Sequence, residues 1–358
     1  MDKMKALVLV GKEQMELQER EIPHPKPGEV RVKIAYTSIC GSDLGAYREP
    51  NSRFQVPIIL GHEYSGIIDE VGEGIEDLKV GQHICGNPPV SCGKCWHCKH
   101  GHYNQCPNRL SLGNSAGVEK LDGTYTEYIC LPAFTMVPLP EDMDLIYGSL
   151  MEPLAVGYHA SQNGNFTPGE TTVVIGAGPI GLMTVLSLKA NGAGKIIVSD
   201  VSEARLELAG RLGADVLVNS KNEDLVDVVK RETDGVKADR TILCAGVPPL
   251  FHQAIETTRN CGDLILVGMV QETVPFNPMD IFGRDINIIS SYTFTDEIFQ
   301  VVQLVYEGKI DLEPLITSIY SLNHGADAFA ALAAPGSPEI KVVVDMLGLG
   351  KGKEKWVK

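Results

Sequence analysis

Four thiols fall within a short run of this chain, Cys92, Cys95, Cys98 and Cys106, spaced C-x2-C-x2-C-x7-C. Two-residue gaps let a tight turn aim successive sulfurs at one point, and the longer gap lets the chain return with the fourth. The spacing predicts a structural zinc site closed to substrate. Gly93, His97, Gly101 and His102 fill the gaps with turn-tolerant and polar residues. A disulfide cluster would use the same residues, but no secretory signal is legible before the first apolar run, so reduced thiols are expected. A second group is dispersed. Cys40-Gly41-Ser42-Asp43, Gly61-His62-Glu63 and Met151-Glu152-Pro153 each set a metal-capable side chain beside a residue that turns the chain. Taken singly, a cysteine of this kind is a small hydrophobe, a histidine a satisfied polar group and a Glu-Pro pair a turn.

Gly176-Ala177-Gly178-Pro179-Ile180-Gly181 directly follows the apolar run Val173-Val174-Ile175 and precedes a helical pattern. In that context GxGxxG is a phosphate-binding turn: the glycines permit a tight bend, and a pyrophosphate can rest on the unpaired N–H groups of the helix start. Asp200 closes the second predicted strand, where a carboxylate accepts hydrogen bonds from both adenosine ribose hydroxyls and repels a 2′-phosphate. NAD is therefore expected over NADP, a bias that Arg205 softens if it turns inward. Cys244, Val267, Gly268 and Ser291, at or just past the ends of later predicted strands, complete the expected coenzyme site.

The elements that position these groups fall into two textures. Residues 1–150 are β-rich: Val30, Val32 and Ile34 alternate with Arg31 and Lys33, and Pro and Gly punctuate short apolar runs, which suggests a partly open barrel or sandwich. After Glu152-Pro153, strand-like runs at Thr171–Ile175, Lys195–Asp200, Asp215–Val218, Asp239–Cys244 and Leu264–Val267 alternate with helical patterns. That alternation predicts a doubly wound parallel sheet. From about Ser291 the chain leaves the sheet, and Lys341–Met346 reads as a strand returning to the first domain. Gly348–Lys358 reads as a frayed tail. Thr171–Leu188 carries no charge and approaches membrane-span length, but Gly176, Gly178, Pro179 and Gly181 divide it into a buried strand and a buried helix. With 358 residues the chain fits two domains, and its net charge of −15 argues against nucleic acid as a partner. No membrane association is expected, and a cytoplasmic location is.

On Cys40, Gly61-His62-Glu63, the four-cysteine lobe and the glycine motif, the chain resembles the zinc-dependent medium-chain alcohol dehydrogenases, from Lys5 to about Met346. The resemblance implies an α/β fold: a GroES-like β-rich catalytic domain over residues 1–155 and 291–358, with a structural zinc lobe at about 85–110, and a Rossmann NAD-binding domain over 156–290. It implies two zinc ions per subunit, one structural and one catalytic, the latter held by Cys40, His62 and Glu152. Glu at that junction marks the polyol branch, which includes sorbitol, threonine, butanediol and galactitol-phosphate dehydrogenases. Glu63 is implied as an alternate ligand, and Ser42 as the hydroxyl that hydrogen-bonds the reacting oxygen and passes its proton outward.

One departure stands out. Many relatives carry an outer relay histidine where this chain has Gly45. The proton must then leave through ribose hydroxyls, water or another base, and the pocket mouth widens. Tyr47 is expected to line that mouth, with Tyr292 near the nicotinamide. Arg48 and Arg53 would either meet a phosphate or sulfonate on the substrate or remain solvated loop arginines. The expected activity is NAD-dependent oxidation of a polyol or other vicinal hydroxy compound to the ketone, by a homodimer or homotetramer. A non-catalytic nucleotide-binding protein and a zinc hydrolase are the alternatives. The first conflicts with intact Cys40, Ser42, His62 and Glu152, and the second leaves the nucleotide motif without purpose.

Overall fold

The computed structural model describes residues 2–115, 119–164 and 166–350, without the side chain of Pro89. Residues 351–358 of the expected frayed tail lie outside that description. Within it, Gly350 is buried and its N–H donates to Asp345 at 2.8 Å. The chain forms two compact units, one of Met1–Glu152, Ile298–Tyr306 and Leu312–Lys358, the other of Pro153–Glu297 and Glu307–Asp311.

The first unit is built on a seven-stranded sheet. The strands run Met136–Pro138, His83–Gly86, Glu63–Val71, Glu29–Ser38, Lys341–Asp345, Ile316–Ser321, and Tyr128–Pro132 pairs with the far part of Glu29–Ser38. Val30, Val32 and Ile34 are fully buried while Arg31 and Lys33 are not, as the alternation predicts. From Ala35 to Ser38 the alternation stops and every residue is buried. Here Glu63–Val71 pairs on one side and Lys341–Asp345 on the other, so this end of the strand is central in its sheet. A three-stranded sheet, Gln14–Glu21 with Lys3–Gly11 and Ile58–Ile59, adds Leu7, Val8 and Leu9 to the same core.

The second unit carries a six-stranded sheet, in the order Val216–Asn219, Ile196–Asp200, Thr172–Ile175, Ala238–Leu243, Thr258–Leu266, Asn287–Ser290, every pair parallel. The order reverses between Thr172–Ile175 and Ala238–Leu243, the crevice where doubly wound sheets bind ligands. Thr172–Ile175 is buried throughout, as is Gly181–Leu188 of the following helix, Pro179–Ala190. Burial on all sides explains why that stretch carries no charge. Among the described residues no helix is long and apolar enough to cross a membrane. The chain is thus of mixed α/β class, a β-rich unit and a doubly wound parallel unit.

Candidate active site

Strand register brings the dispersed metal-capable residues together. Ser38 ends one strand and stands opposite Glu63, which begins its antiparallel neighbour. Cys40 lies just beyond the first strand, and His62 just before the second. Cys40 has extended backbone (φ −83°, ψ 154°) at the N-cap of the helix Gly41–Arg48. Gly61 sits at φ +97°, where a β-carbon would lie 2.7 Å from Thr124 Oγ1, so only glycine can make the turn that delivers His62. Ligand atoms of Cys40, His62 and Glu63 all fall within 4.8 Å of one another.

A buried carboxylate fixes this corner. Asp43 accepts from the backbone N–H of Cys40 at 3.2 Å and of Gly61 at 3.3 Å, and from the Tyr125 hydroxyl at 3.2 Å. Its Oδ1 lies 3.6 Å from His62 Nδ1. A carboxylate against one ring nitrogen fixes the imidazole and directs the other nitrogen to a metal. Burial opposes charge on His62, but Asp43 and then Cys40 outweigh it and raise its pKa well above the ordinary histidine range. Two carboxyl groups and a thiol around one imidazole offer a donor set that fits a bound cation.

Glu152, expected as the third ligand, is not in the group of mutually close atoms, where Glu63 stands instead. It is the second residue of the helix Met151–Gln162 and is partly buried. Burial raises its pKa to about 7; Glu63 and Asp43 add to the rise, and His62 and Lys341 oppose it. Repulsion between the two carboxylates favours their separation. The Glu63 carboxylate already accepts from Ser38 and Lys341, whereas Glu152 makes no hydrogen bond among the described residues. The freer carboxylate is the better ligand for an incoming cation.

The four-cysteine lobe has the shape its spacing predicts. Sulfur separations are 3.4 Å for Cys95–Cys98, 3.8 Å for Cys95–Cys106 and 4.0 Å for Cys92–Cys98. A tetrahedron with ~2.3 Å zinc–sulfur bonds has edges of ~3.8 Å. Cys95 caps the short helix Trp96–Lys99 and accepts from the Cys98 N–H, and Cys106 follows the turn Tyr103–Gln105. Backbone N–H groups of Lys94 and Cys95 pull the Cys92 thiol down to about 6, toward the thiolate a metal requires. This lobe can close around one zinc ion.

In the second unit the glycines of the motif differ in duty. Gly176 takes φ +100°, and a β-carbon on Gly181 would lie 1.8 Å from the Gly176 carbonyl oxygen. A β-carbon on Gly178, the helix N-cap, would meet nothing within 4 Å. That open cradle before Pro179 and Ile180 fits a pyrophosphate. Asp200 Oδ2 accepts from the Ala177 N–H at 2.7 Å and Oδ1 from Ser202 N–H at 2.9 Å, which holds the carboxylate at the strand end. Arg205 is half-buried on the next helix, Glu203–Arg211. The Cys244 sulfur lies 3.8 Å from Thr184 Oγ1, and burial pushes its pKa up to about 12, so it acts as an apolar wall and not as a nucleophile. Val267 and Gly268 both donate to the Leu243 carbonyl, and a β-carbon on Gly268 would strike the Ala245 backbone at 2.6 Å. Ser291 is 6 % exposed, and its hydroxyl has no partner among the described residues; Tyr292 is 39 % exposed.

Tyr47 is 7 % exposed, with its ring 5.4 Å from Phe329, so it belongs to the core and not to a pocket mouth; an aromatic on that helix face gains more by packing. Arg48 donates to the Ala333 carbonyl at 2.8 Å, and Arg53 lies over the Phe54 ring at 5.9 Å. Ser42 is half-buried, one residue into the helix that Cys40 caps. Asp43, Ser38, Tyr125 and Lys341 also build this corner, and none of them has a role assigned from sequence alone. Two signals were legible: an acid three residues after Cys40, the position of a helix capping box, and a lysine opening the apolar run Lys341–Met346.

Residues 26–141 match the alcohol dehydrogenase GroES-like domain, and residues 179–307 match the zinc-binding dehydrogenase domain. The chain is 37 % identical to an L-threonine 3-dehydrogenase of Thermococcus kodakarensis over 88 % of this chain and 89 % of that one. It is 32 % identical to the sorbitol dehydrogenase of Bacillus subtilis over 95 % and 97 %. A solved alcohol dehydrogenase from Escherichia coli CFT073, in complex with NADH, superimposes with a TM-score of 0.90 at 32 % identity, covering 97 % of this chain and all of that one (100 %).

Proposed function

Since the chain belongs to the zinc-dependent medium-chain alcohol dehydrogenase family and is an oxidoreductase of that kind, we propose that it oxidises a secondary alcohol of a neutral polyol or vicinal diol to the ketone with NAD. The observation that carries this is the convergence of Cys40, His62 and Glu63 within 4.8 Å, near a partly buried Glu152 whose carboxylate has no hydrogen bond among the described residues. In this reading Cys40, His62 and Glu152 hold the catalytic zinc, and Cys92, Cys95, Cys98 and Cys106 hold a second, structural one. Bound there, zinc would supply Lewis acidity toward the alcohol oxygen, and NAD would supply a hydride acceptor. The chain's own part is positional: Asp43 orients His62, Ser42 accepts a hydrogen bond from the substrate hydroxyl and receives its proton only as it passes its own outward, Gly178 admits the pyrophosphate, and Asp200 binds the ribose hydroxyls. A β-carbon at Gly45 would meet nothing within 4 Å, so the proton leaves past that position through water and ribose hydroxyls.

What supports a neutral substrate is that Arg48 donates to the Ala333 carbonyl and Arg53 lies over the Phe54 ring. The test is an NADH absorbance screen over sorbitol, xylitol, 2,3-butanediol, L-threonine and polyol phosphates, with Arg48→Ala and Arg53→Ala beside the parent. Turnover confined to phosphorylated substrates, lost in the arginine variants, would refute the neutral class. Absence of turnover across the whole panel, with NADH still bound, would favour a non-catalytic member. All nine cysteines are free of disulfides, which fits the reducing cytoplasm. A homo-oligomer, dimer or tetramer, fits the outer strand Asn287–Ser290, beside which Met279 and Phe282 are 60 % and 79 % exposed. Light scattering on Phe282→Asp reads whether that face joins copies.

A further inference from the structure

Glu63 is 1 % exposed, and both hydrogen bonds to its carboxylate fall on one oxygen, Oε2, from the Ser38 hydroxyl and the Lys341 ammonium. Lys341 is itself 1 % exposed and opens the strand Lys341–Asp345, whose pairing with Glu29–Ser38 carries it to this site. Its ammonium also donates to the Ile39 carbonyl at 3.3 Å, in the residue before Cys40. An ammonium is strongly hydrated, and burying one is unfavourable unless a partner charge compensates. Here the partner is a carboxylate within 4.8 Å of the Cys40 and His62 ligand atoms.

Counting charge shows what the lysine does. Beside a divalent ion, the Cys40 thiolate, Glu63, Glu152 and the buried Asp43 would carry two negative charges more than the ion offsets. Lys341 supplies one positive charge, and its direct contact is with Glu63.

We infer that Lys341, assisted by Ser38, is a positioning residue that holds Glu63 back from permanent coordination, which keeps the catalytic ion loosely enough ligated to accept substrate. The inference rests on the zinc site proposed above. Without Lys341 the nearest cation left to Glu63 is the metal itself. Glu63 then becomes a standing ligand, and the ion is gripped more tightly and serves substrate less well. A lysine with a purely structural role gives the opposite sign, because loosening the corner would speed metal loss.

The experiment measures zinc transfer from the holoenzyme to excess chromophoric chelator, with the catalytic pool identified as the one missing from His62→Ala. In Lys341→Met that pool should leave roughly tenfold more slowly or beyond, in the range by which groups behind metal ligands tune affinity. Turnover should fall at the same time. Lys341→Arg should return release toward the parent rate, and Ser38→Ala should slow it by a smaller factor. Unchanged or faster release from folded Lys341→Met overturns the inference. Should that variant not fold, release from Ser38→Ala at or above the parent rate overturns it equally. If His62→Ala retains as much zinc as the parent, it is the proposed zinc site that fails.

Discussion

Gly178 and Gly181 share one motif, yet their replacement by alanine should produce opposite failures. A methyl carbon on Gly181 would sit 1.8 Å from the Gly176 carbonyl oxygen, where carbon contacts settle near ~3.5 Å. The struck atom is backbone in a turn at φ +100°, so relief means lifting the helix Pro179–Ala190 off the strand before it. Overpacking that side chains can absorb costs about 1–3 kcal/mol. A backbone clash this deep should exceed about 4 kcal/mol, much of the ~5–15 kcal/mol by which domains are stable. On Gly178 the added carbon meets nothing within 4 Å, and φ is −73°. Alanine at that N-cap should cost only about 1 kcal/mol. The methyl would nevertheless occupy the space against which a pyrophosphate must close on the helix N–H groups, and NADH should bind at least ~10-fold more weakly, about 1.4 kcal/mol. Thermal unfolding without coenzyme and NADH fluorescence titration separate the two. Parent-like NADH affinity in Gly178→Ala, or a parent-like melting temperature in Gly181→Ala, would refute the division of duties.

Asp200→Gly removes the carboxylate that accepts from Ala177 and Ser202, and should shift the ratio of kcat/KM for NAD and NADP toward NADP by an order of magnitude or so; an unchanged ratio would contradict the ribose role. Cys95→Ser should lower metal content by one zinc and the melting temperature with it, whereas His62→Ala should also lose one zinc but keep the parent's fold by circular dichroism. Burial resists charge on Glu297, but the hydrogen bond from His159 at 2.6 Å and the Thr295 N–H pull its pKa down to about 2. A depressed carboxylate contributes stability above its unfolded pKa, and the contribution fades as pH falls from about 4.3 toward 2. Glu297→Gln should therefore be less stable than the parent by about 1–3 kcal/mol at neutral pH, with the deficit shrinking below about pH 4; a deficit that is constant across pH would show packing, and not charge, to be lost.

Local chemistry is written in short spacings, and those were legible. The four-thiol lobe, the glycine turn after Val173–Ile175 and the acid at Asp200 each need only neighbours in sequence, because a turn or a strand–helix junction assembles them. The same holds for the alternation of Val30, Val32 and Ile34 and for the parallel sheet of the second unit. The site around Cys40 differs. Cys40, His62, Glu152 and Lys341 stand far apart in the chain, and no periodicity relates them. The Ser38–Glu63 register and the pairing of Lys341–Asp345 with Glu29–Ser38 brought Glu63, and not Glu152, within 4.8 Å of the ligand atoms of Cys40 and His62, and set a buried lysine behind it.

The sequence by itself determined the kinds of ligand, the phosphate-binding turn, the two textures of the chain and its dehydrogenase kinship. Only the tertiary structure decided which carboxylate is pinned and which is free, that Tyr47 packs against Phe329, and that Arg48 is already engaged by Ala333. The physical reason is that a side chain's donors are allotted by whatever folding places within about 3 Å of them, and that allotment depends on strand register across hundreds of residues and not on the identity of the neighbours in sequence.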